Sequence, residues 1–277
     1  MTDNSTMRRW RPSAVLSLTE SLKRPHALII LNQKINRVDI LKKVWAAATY
    51  RFCADGGANR LYDMFMDDAE SRAKFLPNAI HGDLDSLRAD VREYYNSKGV
   101  SVTQDHDQYS TDFMKCISLL RKTEAESASK EAKSGNTPKK VGCGRFDQTI
   151  ASINQLYFMK DETDRQLLLV SDENLTILLD EGKHIIECNR EVEGMYLSLY
   201  GQIMPVILIC LVGPTCGVMP LGGPVRLTTR GLKWNLTDYP CHFGGMVSTS
   251  NLLDSDTIEI ETDKAVVWTV ELKEGLP

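Results

Sequence analysis

The chain has 277 residues, enough for one large domain or two ordinary ones. Hydrophobic residues make up 42% and charged residues 25%, a soluble globular balance, and the net charge of −4 offers no broad basic face for nucleic acid. Seven cysteines without a CxxC pair argue against a disulfide framework or a zinc site and suit a reducing cytosol, so a cytoplasmic location is expected.

The N-terminal stretch MTDNSTMRRWRPS is polar and lacks the apolar centre of a signal peptide; residues 1–25 read as a flexible segment. From there the chain alternates. HALIILN (26–32) is an apolar run suited to a strand buried on both faces, and RVDILKKVWAAAT has helical spacing. YRFCADGG (50–57) is a second strand closed by Asp-Gly-Gly, followed by the helical ANRLYDMFM. NAIHGD is a third strand, and SLRADVREYYNSKG a helix ended by Gly99. VSVTQ is a fourth strand, and DFMKCISLL places Phe113, Cys116, Ile117 and Leu120 on one helical face. Such strand–helix units predict an α/β domain with a mostly parallel sheet over residues 26–164.

Residues 123–140, TEAESASKEAKSGNTPKK, lack apolar periodicity and read as a flexible loop, after which FDQTIASINQLYFMK resumes as helix. From about residue 165 the pattern changes to short strand-like runs separated by turns: QLLLVSD, NLTILLDEG, KHIIECN, VRLTTRGLKWNL, GMVSTSN, DTIEIETD and AVVWTVEL. These predict an all-β sandwich or barrel-like domain over 165–277. The most apolar run, IMPVILICLV (203–212), is shorter than the ~20 residues needed to span a bilayer, and no membrane partner is expected.

Chemistry is suggested where the strands end. In an open parallel sheet, ligands gather beyond the carboxyl ends of the strands. Asp55 ends the second strand, Asp83 and Asp85 the third, and Asp112 opens the helix after the fourth. Carboxylates so gathered repel one another unless a cation neutralises them, and hard oxygen ligands suit magnesium held together with substrate phosphates. Each piece also has a plain structural reading as a helix cap or turn residue. Gly56 and Gly57 allow close backbone approach to a ligand, or an ordinary tight turn. Thr111 can cap the helix that Asp112 opens, with Lys115 one turn on, in reach of a phosphate. In GRFDQ (144–148), Arg145 suits bidentate phosphate contact and Asp147 can hold the arginine or orient a hydroxyl; a surface ion pair is the alternative. Trp234 in GLKWNL offers a face for a flat or cationic ring, unless it is a core residue.

ADGGANRLYD, HGDLDSLR, STDFMK, GRFDQTIASINQLY, GLKWNL and VSTSN stand in this order from about residue 27 to about residue 270. As an ordered set they closely resemble the thiamine pyrophosphokinase (thiamin diphosphokinase) family. The resemblance implies transfer of a diphosphate group from ATP to the hydroxyethyl oxygen of thiamine, giving thiamine diphosphate and AMP, with Mg2+ required. It implies that the α/β domain carries ATP and metal, that the β domain serves thiamine, and that the protein is a homodimer with each active site at the subunit interface. By motif, Asp55, Asp83, Asp85 and Asp112 match the metal and phosphate site. Asp83, Asp85, Asp112 and Asp147 are the catalytic candidates, and Asp83 or Asp112 is the candidate proton acceptor. Gly56, Gly57, Gln108, Thr111, Lys115 and Arg145 fall to the nucleotide, and Trp234, Ser248, Ser250 and Asn251 to thiamine.

Two features depart from the family pattern. Residues 134–143, SGNTPKKVGC, stand where an apolar strand is expected, and a central strand is therefore expected to be missing. MYLSLYGQIMPVILICLV (195–212) is an atypical apolar insert, read as an extra buried strand, a clade-specific loop or a retained intron. Two alternatives to the full activity follow: a catalytically impaired isoform, or a metal-dependent nucleotide hydrolase using the same aspartates.

Overall fold

The computed structural model describes residues 7–11, 26–128, 137–141, 146–162, 166–188, 191–199, 202–209 and 212–273. The chain divides into two compact units, Ser17–Asp172 and Glu173–Pro277, the second of which also takes in Met1–Leu16. A short first strand, β1 (Arg8–Trp10), thus belongs to the unit that follows it by more than 160 residues in sequence.

In the first unit β2 (His26–Ile30) is the apolar run expected to be buried on both faces, and Ala27, Leu28, Ile29 and Ile30 are all at 0% exposure. Burying each of the three larger side chains contributes about 1.5–3 kcal/mol, as an upper bound. Helix α1 (Val38–Ala47) buries Ile40, Leu41, Val44 and Trp45, one face at helical spacing. There follow β3 (Tyr50–Ala54), α2 (Gly57–Met64), α3 (Ala69–Lys74), β4 (Ala79–Gly82), α4 (Ala89–Ser97), β5 (Ser101–Gln104), α5 (Asp112–Ala128), β6 (Thr137–Val141), α6 (Phe146–Phe158) and β7 (Leu168–Val170). The strands lie in the order β7-β6-β2-β3-β4-β5, all parallel. Phe113, Cys116, Ile117 and Leu120 are the buried face of α5.

The expected loop over 123–140 is corrected at both ends. Helix α5 continues to Ala128. Its last turns are surface helix, made of good helix formers, with the Thr123 and Ser127 hydroxyls donating back to the Leu119 and Thr123 carbonyls at 2.9 Å each. Apolar periodicity is absent there because none of residues 123–127 is a buried residue. The central strand expected to be missing is present: β6 pairs with β2 from His26↔Thr137 to Ile30↔Val141, and with β7 on its other side. Backbone pairing on two sides builds this strand, although Pro138 gives no N–H to it and two lysines interrupt its pattern.

The second unit holds β8 (Asn174–Leu179), β9 (Gly182–Glu187), β10 (Glu191–Leu199), β11 (Gln202–Ile209), β12 (Val212–Met219), β13 (Val225–Arg230), β14 (Tyr239–Cys241), β15 (Ser248–Leu252), β16 (Thr257–Thr262) and β17 (Val266–Leu272). One antiparallel sheet runs β15-β12-β17-β8, and a second runs β1-β9-β16-β13-β14, antiparallel except for the parallel β1–β9 edge. Strand β16 alternates exposed and buried residues along its length, as a half-buried strand should. The apolar insert is neither a single strand nor a loop. Strands β10 and β11 pair antiparallel in a two-stranded sheet, and Val212 already belongs to β12, opposite Leu272. Among the described residues no helix is long and apolar enough to cross a membrane.

Candidate active site

Strand β3 hands the chain to Asp55, which sits at φ 43° in the left-handed region. Its amide N–H donates to the His81 carbonyl of β4 at 3.0 Å, and its side chain turns inward to 2% exposure. Oδ2 accepts the Ser86 N–H at 3.0 Å, whereas Oδ1 is buried with no hydrogen-bond partner. An unpartnered buried carboxylate oxygen is costly, so it marks a place for a further ligand. The neighbouring glycines serve packing: a Cβ on Gly57 would stand 2.2 Å from the Ile30 carbonyl oxygen, and one on Gly56 2.4 Å from Asn32 Nδ2. At the end of β4, a Cβ on Gly82 would stand 2.8 Å from Asp112 Oδ1 and 2.9 Å from Asp55 Cβ. Gly82 therefore lets two carboxylates close over the strand end.

Asp55, Asp83 and Asp112 each present a carboxylate oxygen within 4.8 Å of the others. The Asp83 N–H donates to Asp112 Oδ1 at 3.2 Å, and Lys115, with its side chain 1% exposed, places Nζ 3.1 Å from Asp83 Oδ2 and 3.4 Å from Asp112 Oδ1. Leu84 at φ 66° turns the chain between the two aspartates of Gly-Asp-Leu-Asp. Asp85 consequently lies exposed outside the cluster, and its N–H turns back to Asp83 Oδ1 at 3.2 Å. The loop is braced from three sides. Gln104 Nε2 donates to the Asp83 carbonyl at 2.7 Å, Asn59 bridges the Ser86 carbonyl and the Arg88 N–H, and Arg88 grips both oxygens of Asp63 at 2.8 and 2.7 Å.

The three carboxylates carry a formal −3 against one lysine. Burial, with the charges of Asp83 and Asp55, raises the Asp112 pKa above the ordinary carboxylate value despite the Asp83 N–H bond. Asp83 is partly desolvated too, but hydrogen bonds from the Asp85 N–H and Lys115 outweigh this and lower its pKa. A compact, partly buried set of oxygen donors with one unsatisfied oxygen fits a hard divalent cation such as magnesium.

Between β5 and α5 the loop is pinned by aspartate side chains, Asp105 accepting from the Asp107 N–H at 3.0 Å and Asp107 from the Tyr109 N–H at 2.9 Å. Gln108 and Thr111 are exposed, and Thr111 Oγ1 caps α5 by accepting the Met114 N–H at 3.3 Å. Asp147 is exposed in the first turn of α6. Arg145 lies outside the described residues.

In the second unit Trp234 stands on the turn after β13, 55% exposed, with Lys233 Nζ over its ring at 4.8 Å from the centroid. Ser248 and Asn251 are buried at 4% and 3%, whereas Ser250 is exposed at φ 55°.

Residues 41–169 match the family model described as thiamin pyrophosphokinase, catalytic domain, and residues 183–267 match that of the thiamin pyrophosphokinase vitamin B1 binding domain. Thiamine pyrophosphokinase 2 of Arabidopsis thaliana is 36% identical over 275 residues, covering 96% of this chain and 93% of that protein. Thiamine pyrophosphokinase 2 of Oryza sativa subsp. japonica is 35% identical over 259 residues, covering 90% and 86%. The chain belongs to the thiamin pyrophosphokinase family.

The solved yeast thiamin pyrophosphokinase superposes with a TM-score of 0.79 at 28% identity, covering 99% of this chain and 94% of that one; the Candida albicans enzyme gives 0.77 at 26%. Both units of this family member are therefore those of its relatives. Of the residues read from sequence, the structure gathers Asp55, Asp83, Asp112 and Lys115 and leaves Asp85 and Asp147 outside that cluster, among the described residues. Sequence reading missed the braces: Ser86, Asn59 and Gln104 act through amides and carbonyls, and no spacing pattern announces such contacts.

Proposed function

We propose that this chain transfers a diphosphate group from ATP to the hydroxyethyl oxygen of thiamine at the Asp55–Asp83–Asp112 cluster. The chain is a thiamine diphosphokinase by family, a transferase that uses ATP as co-substrate. The observation that carries the site assignment is the buried, unpartnered Asp55 Oδ1 in a cluster of three carboxylates. Asp55, Asp83 and Asp112 would hold Mg2+, which supplies charge neutralisation for the transferred phosphates. Lys115 shares its single positive charge between Asp83 and Asp112 and keeps them in place. Asp83 or Asp112 takes the hydroxyl proton of thiamine. Gln108, Thr111 and Arg145 are assigned to the nucleotide, Asp85 to the metal and phosphate site and Asp147 to catalysis, on the strength of the family motif. The Trp234 indole is the platform for thiamine, supplied in a homodimer by the partner protomer; the family resemblance supports this, as does the exposure of the ring.

The test is AMP release from Mg-ATP by the purified chain, with and without thiamine. Thiamine-dependent AMP matched by thiamine diphosphate supports the transferase. AMP without thiamine selects the nucleotide hydrolase, and ATP binding without AMP selects an impaired isoform. Trp234→Ala should raise the thiamine KM more than the ATP KM. Mixing Trp234→Ala with Asp83→Asn, each impaired alone at low thiamine, should give more activity than the two measured separately if the sites are shared between protomers, and no gain would count against the shared site.

A further inference from the structure

The chain has four tryptophans; Trp10, Trp45 and Trp268 are at 8%, 9% and 0% exposure against 55% for Trp234. An exposed ring on a turn ordinarily samples many orientations, and ordering it on binding costs affinity. Here the main chain of Trp234 is held on both sides by one side chain. Asn251 Oδ1 accepts the Trp234 N–H at 3.2 Å and the Leu252 N–H at 2.9 Å. Asn251 Nδ2 donates to the Trp234 carbonyl at 2.8 Å and to Ser248 Oγ at 3.3 Å.

A carboxamide has two donor hydrogens and two acceptor lone pairs, and all four are spent. With 3% exposure as well, Asn251 has neither a polar atom nor surface to offer a ligand. The same turn is tied elsewhere: Lys233 N–H donates to the Leu252 carbonyl at 2.9 Å, and Asn235 bridges both peptide groups of Leu232 at 3.1 and 2.7 Å. Gly231 turns the chain at φ +81°, where a Cβ would stand 2.4 Å from the Thr257 carbonyl oxygen.

We propose that Asn251 is a positioning residue for the reaction, acting through Trp234: it pre-organises the indole platform and does not itself touch thiamine. This rests on the reading of Trp234 as the thiamine platform. Ser248 is the outer member of the same clamp, orienting the Asn251 amide.

Three measurements test it: time-resolved fluorescence anisotropy of the ligand-free protein, taken as the difference from Trp234→Phe; thiamine and ATP KM; and the double variant. Asn251→Ala should add a fast component to the Trp234 decay, raise the thiamine KM about tenfold and leave the ATP KM within about twofold. Asn251→Ala in a Trp234→Ala background should add nothing further to the thiamine KM. Asn251→Asp, which keeps the acceptors and loses the donors, and Ser248→Ala should give smaller shifts in the same direction, and they carry the test if Asn251→Ala does not fold. A raised thiamine KM with an unchanged anisotropy decay overturns the proposal, as do additive effects in the double variant, since either means a direct contact. If instead Trp234→Ala leaves the thiamine KM unchanged, the platform reading itself fails.

Discussion

Asp55 is bound at its backbone, buried at its side chain and yet has one oxygen to spare. That combination separates it from Asp83 and Asp112, whose oxygens already share the Lys115 ammonium. Asp83→Asn should leave the fold intact and cut turnover by about 10²–10³-fold, as when a charge-stabilising group is lost from a pre-organised site; full retained turnover would remove Asp83 from the machinery. Lys115→Met makes a different test. It leaves Asp83 and Asp112 without their internal counter-ion and should cost about 1–3 kcal/mol, discounted because both carboxylates are partly solvated. Added MgCl2 should restore much of that loss, in denaturant titrations, and stabilise the variant more than the parent chain. Equal responses would mean that the cation does not enter where the ammonium sits. At this scale the strand-end aspartates were legible in the sequence because the βα pattern places them. The separation of Asp85 from the others was not, because it turns on a single left-handed residue, Leu84, that carries no sequence signal.

At the scale of elements, strands β2, β3, β4 and β5 and helices α1, α2, α4, α5 and α6 could be read from apolar runs and helical spacing. Strand β6 and helix α3 could not. The six residues AESRAK of α3 bury none of their side chains, and β6 owes its place to two neighbours far away in sequence. The junction of β3 and α2 is tight enough to predict that Gly57→Ala, which sets a methyl group against the Ile30 carbonyl, destabilises by about 3 kcal/mol, measurable as a lower denaturation midpoint. On the edge of the second sheet, His184 Nδ1 accepts the Trp10 indole N–H at 3.0 Å while Nε2 donates to the Asp180 carbonyl at 2.8 Å. Burial lowers the His184 pKa below the ordinary histidine value of about 6.5, partly opposed by that carbonyl and the Asp180 charge. The unfolded chain therefore binds the proton more readily. The contribution of this pair is whole above about pH 6.5 and is lost as the pH falls from there through the depressed folded-state value. Thermal melts at pH 7.5 and 5.5 should show a larger drop for the parent chain than for His184→Gln.

For the molecule as a whole, two units follow the change of pattern, with the division at Asp172/Glu173, and Met1–Leu16 falls with the unit remote from it in sequence. Residues expected to be a flexible segment supply β1, which pairs Arg8–Trp10 with His184–Ile186 and adds ion pairs from Arg9 and Arg11 to Glu187. A strand of three residues has too little pattern to be seen, and its partner is remote. Deleting residues 1–11 should lower the melting temperature of the chain, and the variant should no longer show the histidine-dependent acid loss described above. An unchanged melt would mean that β1 is dispensable.

The pairing of Trp10 with His184 also sets a clock. The two are 174 positions apart, so at about 5–20 residues per second the first strand waits roughly 10–35 s on the ribosome for its partner to be made. During that interval most of the Ser17–Asp172 unit is made while the first strand, with its indole, has no partner strand and stays open to other binders. A chaperone that holds β1 would therefore act on the unit synthesised last.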